Sequence, residues 1–325
     1  MKLIDTRGPS SASPRRPSPF PHTPASGLAL AFGTALVSGV AIFANGYGVT
    51  AFGSGGGVYT TAKNLVAAVV LMLVAGVATR ARSEEGFTRP RTAAQWTGLL
   101  VVAVIGGSVP FLLFFEGLAR ASSVQAAFLH KTLLIWVALL AWPLLRERIG
   151  PLHIVAIALL LAGQAVLQGG VGEIGVGSGE AMILGATLLW SIEVIVAKRL
   201  LGSLSSLTVG TTRMALGCVV LLAYLAVTGG VDDLLAVSAT QWAWAALTGG
   251  LLAAFVATWY LALARARAID VTTVLVFGAV VTALLSMSVQ GTEPQAAALA
   301  LLALGTAIVA VAARRRGVSE PIRTG

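Results

Sequence analysis

The chain has 325 residues, 57% of them hydrophobic and only 11% charged, with a mean hydropathy of +0.88. That is too apolar for a soluble globular domain and reads as an integral membrane protein. The net charge of +9 lies in short clusters between apolar runs rather than in one patch, which argues against nucleic acid as a partner and for signals of membrane orientation.

Residues 1–26 hold six of the twelve prolines, with Arg7, Arg15 and Arg16 and no apolar periodicity, and read as a disordered basic tail on the cytoplasmic side. The first apolar run is too long for the core of a cleavable signal peptide and has no small-x-small pattern after it, so it reads as a retained helix. Ten runs are long enough to cross about 30 Å of hydrocarbon. They fall at 27–46, 57–79, 94–118, 121–142, 151–168, 180–199, 205–227, 241–263, 271–289 and 295–313. The runs are continuously apolar rather than alternating, which excludes a membrane β-barrel and predicts an all-α protein of ten transmembrane helices.

Charge sets the expected orientation. With the N-terminal tail inside, Lys2, Arg7, Arg15, Arg16, Arg80, Arg82, Arg89, Arg91, Arg146, Arg148, Lys198, Arg199, Arg265, Arg267, Arg314, Arg315, Arg316 and Arg323 all fall inside, 18 of the 22 basic residues. Asp232, Asp233 and Glu293 fall outside. This bias predicts a multi-pass protein of the inner, cytoplasmic membrane with both termini cytoplasmic.

The chain also resembles itself. TTAKNLVAAVVLML (60–73) matches TTRMALGCVVLLAY (211–224), setting Lys63 within one position of Arg213, and GLARASSVQAAF (117–128) matches ARARAIDVTTVL (264–275). A five-helix unit has an odd number of crossings, so the second copy must be inverted. The expected organisation is a first repeat over 27–168, an external linker at 169–179, a second repeat over 180–313 and a cytoplasmic tail at 314–325. Inverted repeats are a recurring plan of secondary transporters, with the substrate site near the midplane between the halves.

The stretch LARASSVQAAFLHKTLLIWVALLAWPLLRERIGPLHIVAIALLLAG and the segment GATLLWSIEVIVAK resemble the drug/metabolite transporter superfamily, specifically its EamA-type members, over about Leu28 to Ala313. The second half departs from the pattern at GTEPQ (291–295), which has no arginines, as an external turn needs none. The resemblance implies alternating access around a central cavity lined by helices 1, 3, 4, 6, 8 and 9, for substrates that include amino acids, other metabolites and drugs.

The polar residues at membrane depth are the candidates for function, because each costs several kcal/mol unless paired or hydrated. Lys131 lies about 15 Å into the fourth run, near the midplane, with His130 beside it. It reads either as a cavity-facing cation for a carboxylate or phosphate, or as half of an ion pair that locks two helices. Glu193 lies at about 18–20 Å in the sixth run, where a pair with Lys131 across the halves could be broken by substrate or protons. Trp190, one turn away, reads as a pocket wall or a packing aromatic. Lys63 and Arg213 stand near opposite membrane faces, where each could snorkel or bind the carbonyl ends of neighbouring helices in a structural or gating role, and Glu116 and Arg120 read as a surface ion pair at spacing four. Asn45 and Tyr260, with Tyr59, Gln164, Gln168 and Thr272, are further cavity candidates that could equally be interhelical glue.

Cys218 is the sole cysteine, so no intrachain disulfide or cysteine cluster can form, and nothing calls for a cofactor or metal. The glycine-rich 169–180 loop lacks the Gly-Lys-Ser/Thr ending of a phosphate-binding loop, so no ATPase is expected. No Asp pair, HExxH or Ser-Lys constellation supports an intramembrane enzyme, and no soluble domain supports a scaffold. The expectation is a secondary transporter, an exporter of a small metabolite such as an amino acid, with a multidrug exporter as the alternative. Its expected partners are that solute and the lipid bilayer, with protons and a second copy of the chain as candidates.

Overall fold

A computed structural model describes residues 23–53, 56–118, 120–121, 123–167, 169, 177–291 and 295–319. Most of the proposed N-terminal tail, most of the linker, Gln168 and Glu293 lie outside the described residues. The elements are α1 (Pro24–Phe52), α2 (Gly56–Arg80), α3 (Ala93–Gly107), α4 (Val109–Leu118), α5 (Ser123–Lys131), α6 (Leu133–Leu145) and α7 (Pro151–Leu167) in the first half. The second half holds α8 (Ser178–Leu200), α9 (Ser206–Thr228), the short α10 (Val231–Leu235), α11 (Ala239–Arg265), α12 (Ala268–Leu275), α13 (Gly278–Gln290) and α14 (Ala296–Ser319).

The chain belongs to a multi-pass, all-helical membrane protein. Among the described residues, nine helices are long and apolar enough to cross a bilayer, and a further apolar helix, Pro151–Leu167, is shorter. At 1.5 Å per residue its 17 residues reach about 26 Å, a few ångströms under the hydrocarbon thickness, a mismatch that local thinning accommodates at small cost. Several boundaries differ from the hydropathy reading, the end of α1 at Phe52 rather than 46 among them. α1 starts at Pro24 rather than 27, because the Thr23 and Ser26 side chains cap it reciprocally and proline suits the first turn. α14 runs on to Ser319, past the apolar run that ends near 313.

Helix starts and stops follow local chemistry. Thr92 with Gln95 and Ser238 with Gln241 form capping boxes on α3 and α11. α9 ends at Gly229 and α13 at Gly291, both with left-handed backbone. Large apolar side chains such as Leu73, Val77, Trp142, Ile154 and Val219 point outward, as a lipid-facing surface requires.

The two halves exchange their first helices. α1 packs mainly on α11, α12 and α13 of the second half, while α8 packs on α3, α4, α5 and α6 of the first. Equivalent helices also pair with each other, α2 with α9 and α7 with α14. This is the arrangement expected when inverted copies share an axis in the membrane plane.

Small residues set the approach distance where the halves meet. A Cβ on Gly107 would lie 2.4 Å from the carbonyl oxygen of Arg213, and one on Gly217 would lie 2.8 Å from that of Gly107. Gly217→Val is therefore expected to destabilise the protein by about 1–3 kcal/mol through overpacking. Gly250→Ala, whose Cβ meets nothing within 4 Å, is the control. Thermal denaturation in detergent checks both, with a lowered midpoint for the first variant alone.

Candidate functional site: a central cavity between the halves

Three helices that would otherwise cross unbroken are interrupted near the middle. α3 gives way to α4 at Ser108, just after Gly106-Gly107 and just before Pro110, which has no N–H for the ladder. The Ser108 hydroxyl turns back onto the carbonyls of Ala103 and Val104 at 3.2 and 3.1 Å. α5 gives way to α6 at Thr132, and α12 to α13 at Val276-Phe277. Irregular backbone at membrane depth is tolerated where it lines a cavity. Such a cavity is present.

Its deep chamber is about 220 Å³ and is lined by Asn45, Lys63, Lys131, Glu193, Arg213 and Trp190, among others. It adjoins a wider chamber of about 780 Å³ that reaches Val49, Phe115, Leu167 and Gln290 at the end opposite the arginine clusters. Asn45, Lys63, Phe111, His130, Lys131 and Trp190 border both chambers.

The charged groups differ in how they are held. Glu193, buried, accepts from the Tyr260 hydroxyl at 2.5 Å. Arg213 donates to the Gly106 carbonyl at 2.8 Å, and the Trp190 indole donates to the same oxygen at 3.2 Å. Gly106 separates the two: its missing Cβ would lie 2.5 Å from Glu193 Cγ and 3.0 Å from Arg213 Nε. Lys63 donates to Asn45 Oδ1 at 3.2 Å, an oxygen that also accepts from Tyr59 at 2.5 Å. The Lys63 ammonium stands over the rings of Tyr59, Phe115 and Phe111, 5.0, 5.2 and 5.7 Å from their centroids. Lys131 borders the cavity with no hydrogen bond or ion pair among the described residues. The His130 ring packs edge-on to Phe114 and Trp190, and its Nδ1 has no partner among the described residues.

Several sequence expectations are revised by this geometry. Lys63 and Arg213 do not snorkel: they are 4% and 5% exposed and turn into the cavity, because Asn45 and the Gly106 carbonyl offer partners there. Glu193 meets Tyr260 and neighbours Arg213 rather than pairing with Lys131. Tyr260 is fully buried behind the carboxyl it serves. Glu116 and Arg120 are bonded to each other and about half exposed. Gln164 borders the outer chamber and Thr272 the inner one, while Tyr59 lies behind Lys63.

The arginine-rich end is closed by a latch that hydropathy and charge counting missed. Glu147 accepts from the backbone N–H groups of Ala268 and Ile269 at 2.8 and 3.0 Å, capping the start of α12 from the opposite half. His153 and Asp270 meet at 2.7 Å, Arg265 and Glu85 at 2.6 Å, and Arg267 donates to the Arg148 carbonyl at 2.6 Å. Arg199 donates to the Leu144 carbonyl at 2.8 Å. Every one of these contacts joins the two halves. In the sequence Glu147 hides within Arg-Glu-Arg, and the available signal was Asp270, an acid inside a predicted inside-facing basic cluster.

Glu147→Ala should loosen this end, since it strips a charged acceptor from two buried N–H groups. In a Cys218→Ser background carrying Leu275→Cys on the cavity wall, a thiol reagent applied from the arginine-rich end is expected to label the new cysteine severalfold faster once Glu147 is removed. Unchanged labelling would mean that the latch does not hold the end shut.

Comparison with known proteins sets this architecture in context. No curated protein sequence matches the chain. A solved crystal structure superposes with a TM-score of 0.70 at 19% identity, covering 90% of this chain and 99% of that one, a likeness of fold. The EamA-like transporter family matches twice, over residues 25–168 and 177–314, one match for each inverted half. The chain belongs to the EamA-like transporter family.

Proposed function

We propose that the protein is a secondary active transporter that moves a small metabolite out of the cell by alternating access, driven by protons or by the solute's own gradient. The observation that carries this reading is Lys131, a cation at the break between two half-helices, bordering both chambers and bonded to no described residue. A charge so placed is costly without a counter-ion, and a solute bearing a carboxylate or phosphate supplies one. The basic clusters support an orientation with both termini cytoplasmic in the inner membrane, which makes the latched end cytoplasmic and the wide chamber external. His130 and Trp190 shape the pocket. An amino acid is the simplest such solute, and its amino group would require Glu193 to exchange Tyr260 for substrate.

The aromatic wall of Phe111, Trp190, Phe255 and Trp259 favours a second reading, a multidrug exporter anchored at Glu193. Drug resistance that survives loss of Lys131 but not of Glu193 would select it.

With the protein in proteoliposomes, Lys131→Ala is expected to reduce uptake of the preferred solute by about tenfold or more, the effect of losing one charge-assisted contact. Uptake unchanged across an amino-acid panel would remove Lys131 from the substrate site.

A further inference from the structure

We infer that the cavity is built for a small organic dianion, a dicarboxylate or a phosphate monoester, held between Lys63 and Lys131. This rests on the transport reading above and narrows its substrate. The argument is one of charge. Besides His130, four ionisable side chains among the described residues border the deep chamber: Lys63, Lys131, Arg213 and Glu193. Arg213 and Glu193 are neighbours across Gly106 and offset each other. Two positive charges are left.

Neither is neutralised by the protein. Lys63 has a neutral amide oxygen and three aromatic faces around its ammonium. Such an aromatic setting steadies a cation and leaves its charge intact. Lys131 has no partner among the described residues. Each ammonium left without a counter-charge in a low-dielectric site costs several kcal/mol. A zwitterion brings no net charge and a monoanion compensates one lysine only. A dianion compensates both.

The arrangement also explains the placing of the two lysines. They stand on different helices, α2 and α5, and both border the deep and the wide chamber, so a ligand lying where the chambers adjoin can present one acidic group to each. The repeat provides no matching pair: Arg213, one position from the match of Lys63, is turned to Gly106, and Gly278 lies at the break that answers Lys131. There α1 fills the space, with a Cβ on Gly39 only 2.6 Å from the Gly278 carbonyl oxygen.

The test uses the full chain and two readouts. Purified protein is titrated with succinate, glycerol 3-phosphate, leucine and tetraphenylphosphonium while ligand-induced thermal stabilisation is recorded, and the same solutes are used in counterflow with proteoliposomes. The expected result is binding of succinate or glycerol 3-phosphate at least about tenfold tighter than leucine, weakened by about tenfold in Lys63→Gln and restored towards the original in Lys63→Arg. The stronger of the two dianions identifies the acid. Counterflow of leucine or of the cation, uninhibited by both dianions, overturns the dianion and leaves the transporter standing. Dianion binding that depends on Lys63, without counterflow of any solute, upholds the site and sinks the transport reading. Should Lys63→Gln fail to fold, Lys131→Gln carries the same comparison, and dianion affinity unaffected by it overturns the proposal.

Discussion

The contact of α3 with α9 at Gly107 and Gly217 is the constraint on which the rest of the structure depends. With side chains absent at both positions, the two backbones come close enough for Arg213 to reach the Gly106 carbonyl. That carbonyl also takes the Trp190 indole, so one peptide oxygen ties together helices from both halves. Glu193 then lies beside Arg213 with Tyr260 behind it. An arginine and a glutamate at membrane depth are thereby provided for by neighbouring groups, and of the cations bordering the cavity the two lysines are left without a carboxylate neighbour among the described residues.

The ends of the molecule use different chemistry. The arginine-rich end is latched by carboxylates, guanidinium groups, helix-terminal N–H groups and a buried His153–Asp270 contact. At the opposite end no ion pair joins the halves among the described residues: Tyr47 stacks on Trp244 with centroids 5.7 Å apart, Gly117 meets Gly179 backbone to backbone, and Arg120 donates across the halves only to the Met182 sulfur at 3.2 Å. Charged contacts that cross between halves are directional and break in steps, whereas apolar and glycine contacts slide. The chamber is open at the end with the sliding contacts.

What the sequence made legible was whatever depends on long averages. Continuous apolar runs, the inverted repeat and the one-sided arginines survive any local detail, and the family followed from them. What it hid depends on azimuth and on neighbours. Depth alone set Lys131 and Glu193 at similar levels, yet Tyr260, little more than one turn from the end of α11, took the carboxyl instead. Lys63 lies only about 10 Å into α2, which suits snorkelling by depth, but its stem is long enough to reach Asn45 on α1. The helix breaks at Thr132 and Val276-Phe277 are invisible to hydropathy, because nothing polar interrupts the second of them. Glu147 is masked by the two arginines that flank it.

The exchange of α1 and α8 between halves governs how the chain can be assembled. Nearly everything α1 packs against is encoded 190 residues or more later, in α11, α12 and α13. During synthesis the first helix therefore enters the bilayer long before its neighbours exist, and the cavity wall bearing Lys63 and Lys131 stays uncovered until the last quarter of the chain is inserted. Folding is obligatorily late and non-local, so loop-closure entropy is met before the contacts that offset it. A five-helix fragment of this protein would lack one wall of its own pocket, a wall that only an oppositely inserted second unit supplies.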